Sequence, residues 1–179
     1  GGSTAIKAAG DGQAAAREIV GEIPFTAPEI LQMVEKAAQY TDLGQARQTI
    51  VEHITLASGI VEMTVRAPMV ARSAKAGQFV RVLASEDGEL IPLTLADWDA
   101  DKGTIDLVIQ GMGTSTRLMN QMAVGDAFTG IAGPLGRPSD VKQFGDEQTV
   151  VFAAGGVGLP AIYPIAKAHL RVGNHVTMI

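Results

Sequence analysis

Residues 150–170 read VVFAAGGVGLPAIYPIAKAHL. The run opens on consecutive apolar positions, as a strand does when it is buried on both faces of a parallel sheet. With Thr149 it gives an expected strand from Thr149 to Ala154. The chain then turns through Gly155-Gly156-Val157-Gly158 and continues at helical spacing from Leu159 to Leu170. A second apolar strand follows from His175 to Ile179. Strand, glycine turn, helix and strand make one Rossmann-like βαβ unit. Glycines let a backbone turn tightly and approach a phosphate with no β-carbon in the way. The helix start adds free N–H groups and the positive end of a dipole. Gly155, Gly156 and Gly158 are therefore expected to face a nucleotide pyrophosphate, and a plain tight turn is the competing reading. The acidic residue that would separate NAD from NADP is expected beyond the second strand.

Upstream of this unit the period changes to two. Ile50 to Leu56, Gly59 to Arg66, Gln78 to Leu83, Ile91 to Asp97, Thr104 to Ile109 and Ala127 to Ala132 alternate apolar and polar residues and are rich in Val, Ile, Leu and Thr. Ser58-Gly59, Ala76-Gly77, Asp87-Gly88, Lys102-Gly103 and Gly125-Asp126 separate them as turns. Six short strands at this spacing predict an antiparallel barrel. One helix, Ser115 to Met122, interrupts them and buries Leu118, Met119 and Met122.

The N-terminal region is helical in pattern. Ser3 or Thr4 can cap a first helix that Gly21 ends. A second follows Thr26 and Pro28, with Ile30, Leu31, Val34, Ala37 and Ala38 on one stripe. The expected organisation is a terminal helix of a preceding module over 1–20, a linker with an amphipathic helix over 21–46, the barrel over 47–145, and an incomplete βαβ domain over 146–179. The chain opens on Gly1 and closes on an apolar strand, so a fragment of a longer protein is expected.

Composition narrows the function. A net charge of −5 argues against nucleic acid or an anionic membrane as the main partner. No apolar run reaches the roughly 20 residues that span a bilayer. No basic region followed by an apolar one marks a signal peptide, and cytoplasmic residence is the default expectation. With no cysteine, this stretch offers neither a disulfide nor a thiolate-held zinc or iron–sulfur cluster. His53, His169 and His175 are scattered, so no metal site is expected.

Three further motifs carry chemistry. Gly111-Met112-Gly113-Thr114-Ser115-Thr116-Arg117 is a second glycine-bearing turn that opens a helix, with hydroxyls in its first turn. Gly113, Thr114, Ser115 and Thr116 could hold a second pyrophosphate, with Arg117 adding charge; the alternative is a well-capped helix without a ligand. In Ile91-Pro92-Leu93-Thr94, proline stops ladder pairing and marks an edge. Thr94 could hydrogen-bond a flat heterocycle with Leu93 against its face; an ordinary amphipathic edge strand is the other reading. Gly133-Pro134-Leu135-Gly136 is a turn that could line a cleft.

In this order, the IPLT strand, GxxT helix start, GPLG and AGGVGLP resemble the ferredoxin–NADP reductase superfamily. Within it the likeness is to the electron-transfer subunit of dihydroorotate dehydrogenase. It is stronger still to the small subunit of NADH-dependent ferredoxin:NADP oxidoreductase and sulfide dehydrogenase, through AGQFVRVLASEDGELIPLTLADWD at 76–99. The resemblance covers residues 48 to 179. It implies an FAD-binding antiparallel barrel followed by an NAD(P)-binding domain. Pro92, Leu93 and Thr94 would sit at the isoalloxazine, Gly113 to Thr116 at the FAD pyrophosphate, and Gly155, Gly156 and Gly158 at the NAD(P) pyrophosphate. One departure stands out: many members carry arginine before the motif proline, where this chain has Ile91, so Arg117 or Arg81 would supply the charge. The family's iron–sulfur cysteines lie near its C-terminus, beyond Ile179. Residues 1–19, GGSTAIKAAGDGQAAAREI, resemble the last helix of glutamate synthase small-subunit-like flavoproteins, which would put Thr4 and Ala5 at a flavin's pyrimidine edge. The implied activity is electron transfer from NAD(P)H through FAD to an iron–sulfur protein such as ferredoxin. A non-catalytic FAD-binding or docking module is the alternative, and a flavin-free barrel used for interaction is the third reading.

Overall fold

The computed structural model describes residues 48–145 and 147–179. The chain divides into two units, Gly1–Gln45 and Ala46–Ile179, and the described residues belong to the second. The expected N-terminal and linker helices lie outside them.

Strands β1 (Ile50–Ala57), β2 (Ile60–Arg66), β5 (Asp97–Asp99) and β6 (Thr104–Gln110) form one antiparallel sheet in the order β1-β2-β6-β5. Strands β3 (Phe79–Leu83), β4 (Leu90–Thr94) and β7 (Gly130–Leu135) form a second, in the order β4-β3-β7. The expected six-stranded antiparallel barrel takes the form of two open sheets of four and three strands. The extra strand is β5, three residues long, where the chain leaves β4 and crosses to the first sheet. Leu95 N–H reaches Gln78 O at 3.2 Å and Ala96 N–H reaches Asp106 O at 2.9 Å, so the crossing is bonded to both sheets. On the other side an isolated bridge pairs Thr49 with Ala127. Ala127, expected to open the last strand, makes that bridge, and β7 begins at Gly130.

The period-two pattern explains the core. Val61, Met63 and Val65 of β2 lie opposite Ile109, Leu107 and Ile105 of β6, and all six are at most 5% exposed. Val80 and Leu93 do the same across β3 and β4. Each such side chain contributes about 1.5–3 kcal/mol by leaving water. These residues join Ile50, Leu95 and Phe128 in one cluster that both sheets share. Met119 of α2 (Thr114–Gln121) caps it. A short helix, α1 (Pro68–Ser73), also covers it with Val70 and Ala71. No motif foretold α1, because six residues are too few to show a helical period.

After Asp146, β8 (Thr149–Phe152) runs through a 3₁₀ turn (Gly156–Gly158) into α3 (Leu159–Arg171) and then β9 (His175–Met178). The two strands pair in parallel, which is the βαβ unit read from the sequence. Strand β8 stops at Phe152 rather than Ala154, and Val151 is 58% exposed, so it is not covered on both faces here. Asn174 ties the preceding segment down: its side chain accepts from Phe144 N–H at 2.7 Å and donates to Lys142 O at 2.9 Å. It also donates to Nδ1 of buried His169 at 2.8 Å, which fixes that nitrogen as an acceptor. The His169 ring stacks on Phe144 at 6.0 Å.

Candidate functional site

The loop that opens α2 leaves the end of β6 and is anchored to the β1–β2 turn. Gly111 N–H and Asn120 Nδ2 both donate to Gly59 O, at 2.8 and 2.9 Å. Within the loop the Thr116 hydroxyl accepts from Met112 N–H and Gly113 N–H, each at 3.0 Å, and donates to Gly113 O at 3.2 Å. Thr116 therefore shapes the turn with its own oxygen. The amides that follow Gly113, at Thr114, Ser115 and Thr116, belong to the first helical turn and have no carbonyl four residues back to bond. Gly113 is exposed, and a β-carbon there would meet nothing within 4 Å. The helix start is open to an anion. Arg117 lies beside it, its Nε 3.4 Å from Gly111 O.

The turn before α3 has the same character. Gly156 sits at φ +55, in the left-handed region that favours glycine. Gly158 N–H bonds Gly155 O at 3.1 Å and tightens the turn. Added β-carbons at Gly155 and Gly156 would find open space, while one at Gly158 would touch Ala154 at 3.7 Å. Gly155 and Gly156 thus face outward, and Gly158 faces Ala154 within the turn.

On the second sheet, β4 is an edge strand, as Pro92 predicts. Pro92 and Thr94 lie on the outward face, opposite Arg81 and Phe79 of β3. Leu93 points the other way, is 9% exposed and belongs to the core. Strand alternation puts the side chains of Leu93 and Thr94 on opposite faces. Gly133 fits a close crossing, since a β-carbon there would come within 2.7 Å of Val80 Cγ1. Thr4 and Ala5 lie outside the described residues.

A third feature was not read from the sequence. Glu52 of β1, Thr64 of β2, Asp106 of β6 and Asp97 of β5 are register partners in turn, so they form one row across the outer face of the first sheet. Thr64 Oγ1 donates to Asp106 Oδ1 at 2.7 Å. Burial pushes the Asp106 carboxyl above the usual carboxylate range, and the charges of Asp97 and Glu52 add to this, while the Thr64 bond and the Lys167 charge work against it. Glu62 is raised too, by burial and then by Asp106, Glu52 and Asp97. Lys167 of α3 meets the row at its end, with Nζ 2.5 Å from Asp97 Oδ2. Such a row is invisible until strand pairing is known. Among the described residues, no group of three or more histidines and carboxylates is placed to hold a metal ion, and no helix is long and apolar enough to cross a membrane.

Comparison with known proteins agrees with this geometry. No family model matches the chain. The electron transfer subunit homolog of dihydroorotate dehydrogenase B (NAD(+)) from Thermotoga maritima is 35% identical over 136 residues, which is 76% of this chain and 47% of that protein. The solved structure of an NADH-dependent reduced ferredoxin–NADP oxidoreductase is 35% identical, with a TM-score of 0.72 over 74% of this chain and 47% of that one. Phthalate dioxygenase reductase shares the fold at 19% identity and a TM-score of 0.55, over 73% of this chain and 41% of that one. The chain is thus similar in sequence and fold to ferredoxin reductase-like proteins, as the sequence resemblance implies. The chain is homologous to electron-transfer subunits of the dihydroorotate dehydrogenase B type. It spans about half the length of the curated relatives it matches.

Proposed function

We propose that this chain is part of a flavoprotein that passes electrons from NAD(P)H, through FAD on the two-sheet module, to an iron–sulfur protein such as ferredoxin. The observation that carries this reading is the pair of open, glycine-led helix starts in one chain, at Gly113 and at Gly155–Gly156, each following a strand. Each offers unpaired amides and a positive dipole end to a diphosphate. The homology to electron-transfer subunits supports it, and one relative's structure is described in terms of flavin-based electron bifurcation.

In this reading residues 47–145 hold FAD and residues 146–179 begin the nucleotide-binding domain. The amides of Thr114, Ser115 and Thr116 hold the flavin diphosphate, with Arg117 or Arg81 adding charge where Ile91 cannot. Thr94, with Pro92 beside it on the outward face of β4, meets the isoalloxazine edge. The chemistry that bound FAD would supply is acceptance of a hydride from the nicotinamide and release of single electrons. The chain's own part is positioning and exclusion of water, so no side chain need serve as acid or base. A docking role without turnover is the second reading.

Gly113→Asp tests the proposal. The backbone there, φ −116 and ψ −178, suits any residue, and an added β-carbon meets nothing within 4 Å. The variant should fold like the parent yet lose FAD, because its carboxylate occupies the anion site. Retention of FAD by the variant, or a wild-type protein that takes up none, would overturn the assignment. Bleaching of the flavin on mixing with NADH or NADPH would reject the docking reading.

A further inference from the structure

The βαβ unit touches the two sheets sparsely. The glycine turn lies against β6 and α3 lies against β5. Among the described residues, one side-chain hydrogen bond joins the βαβ unit to either sheet, the ion pair of Lys167 with Asp97. Both side chains are about one-third exposed, at 29% and 31%. Lys167 has one contact within its own helix, with Tyr163, and one across to the sheet, with Asp97. Its ammonium sits 5.2 Å from the Tyr163 ring and otherwise reaches across to the sheet.

The sheet is built to receive a cation at that point. Asp97 ends the row of Glu52, Thr64 and Asp106, and Glu62 stands beside it on the same face. Like charges on neighbouring strands repel, which is a cost the sheet carries unless a cation answers it. Lys167 answers it, with Arg171, one helical turn further along α3, lining the same cleft. Lys102 also lines the cleft but pairs with Asp99 at 3.2 Å, on the sheet's own side.

We infer that Lys167 is a positioning residue: its ion pair with Asp97, set in the field of the acidic row, seats α3 and the glycine turn that opens it against the first sheet. This rests on the proposed function for its consequence, since that turn is the one assigned to the nicotinamide nucleotide. The tether itself is a property of this chain's residues and can be measured with no nucleotide present.

The test uses the full-length protein with Lys167→Gln, Asp97→Asn, the double variant and Lys167→Arg. Asp97→Asn keeps an oxygen for Trp98 N–H, which Asp97 Oδ1 accepts at 2.9 Å. Hydrogen exchange across Leu159–Ile165 and β5 is the first readout. Each single variant should speed exchange there several-fold, the double should be no worse than either single, and Lys167→Arg should restore protection. High salt should mimic Lys167→Gln in the wild type, because the screening length shrinks from about 10 Å at 0.1 M to about 3 Å at 1 M. Lys102→Gln is the control and should change nothing at α3. With FAD bound, Lys167→Gln should raise the KM for the nucleotide several-fold more than it lowers kcat. Unchanged exchange in both singles, or fully additive effects in the double, would overturn the tether. A wild-type flavin that neither nucleotide bleaches would instead sink the functional reading and leave the exchange result to decide the tether by itself.

Discussion

Thr116 shows how one hydroxyl shapes a helix start. Its oxygen accepts from two successive amides and so holds the turn from Met112 to Gly113 in the form that leaves the next three N–H groups outward. Removing a side-chain oxygen from a helix cap costs about 0.5–2 kcal/mol. Thr116→Val should therefore lower stability by about that amount and weaken FAD retention, whereas Thr116→Ser should keep both. Thermal melts with and without FAD check it. Equal melting of all three proteins would show that the turn holds itself. The contrast with Gly113→Asp is informative, since that change attacks the anion directly and spares the fold.

At the scale of elements, the acidic row exists because four strands pair in one register. Asp106, in the middle, is raised by its surroundings, so the folded chain takes up a proton at a pH where the unfolded chain does not. As pH falls from neutral toward the ordinary value of 3.8, Asp106 adds stability, and the gain is lost as pH rises through the folded pKa. Asp106→Asn keeps an acceptor for Thr64 and removes the charge. It should melt higher than the parent at neutral pH, and its melting temperature should vary less between neutrality and that range. A parent curve no steeper than the variant's would refute the assignment. The row also marks the limit of what sequence reveals. Alternation announced the long strands, and glycines before helical spacing announced both helix starts, since both signals are local. Strand β5 and the division into two sheets depend on pairings between distant segments, and so does the meeting of Lys167 with Asp97, seventy residues apart. The inward turn of Leu93 was legible in principle, because strand alternation alone separates it from Thr94.

Across the whole module, two open sheets behave as one structure because they share one core. Leu107, on the central strand β6, is fully buried, lies opposite Met63, and belongs to the cluster that includes Val80, Val82 and Leu93 of the second sheet. Truncating it removes contacts on both sides of the core at once. Leu107→Ala should cost about 2–5 kcal/mol, depending on how far the neighbours close the gap. The same loss should appear in both sheets, so exchange at β2 and β6 should accelerate together with exchange at β3 and β7. Hydrogen exchange resolved by strand distinguishes this from local loosening. If β3 and β7 kept their protection while β2 and β6 lost theirs, the sheets would be separate cooperative units. In that case a flavin site that draws Thr94 from one sheet and the Gly113 helix start from the other would have no common scaffold to hold it.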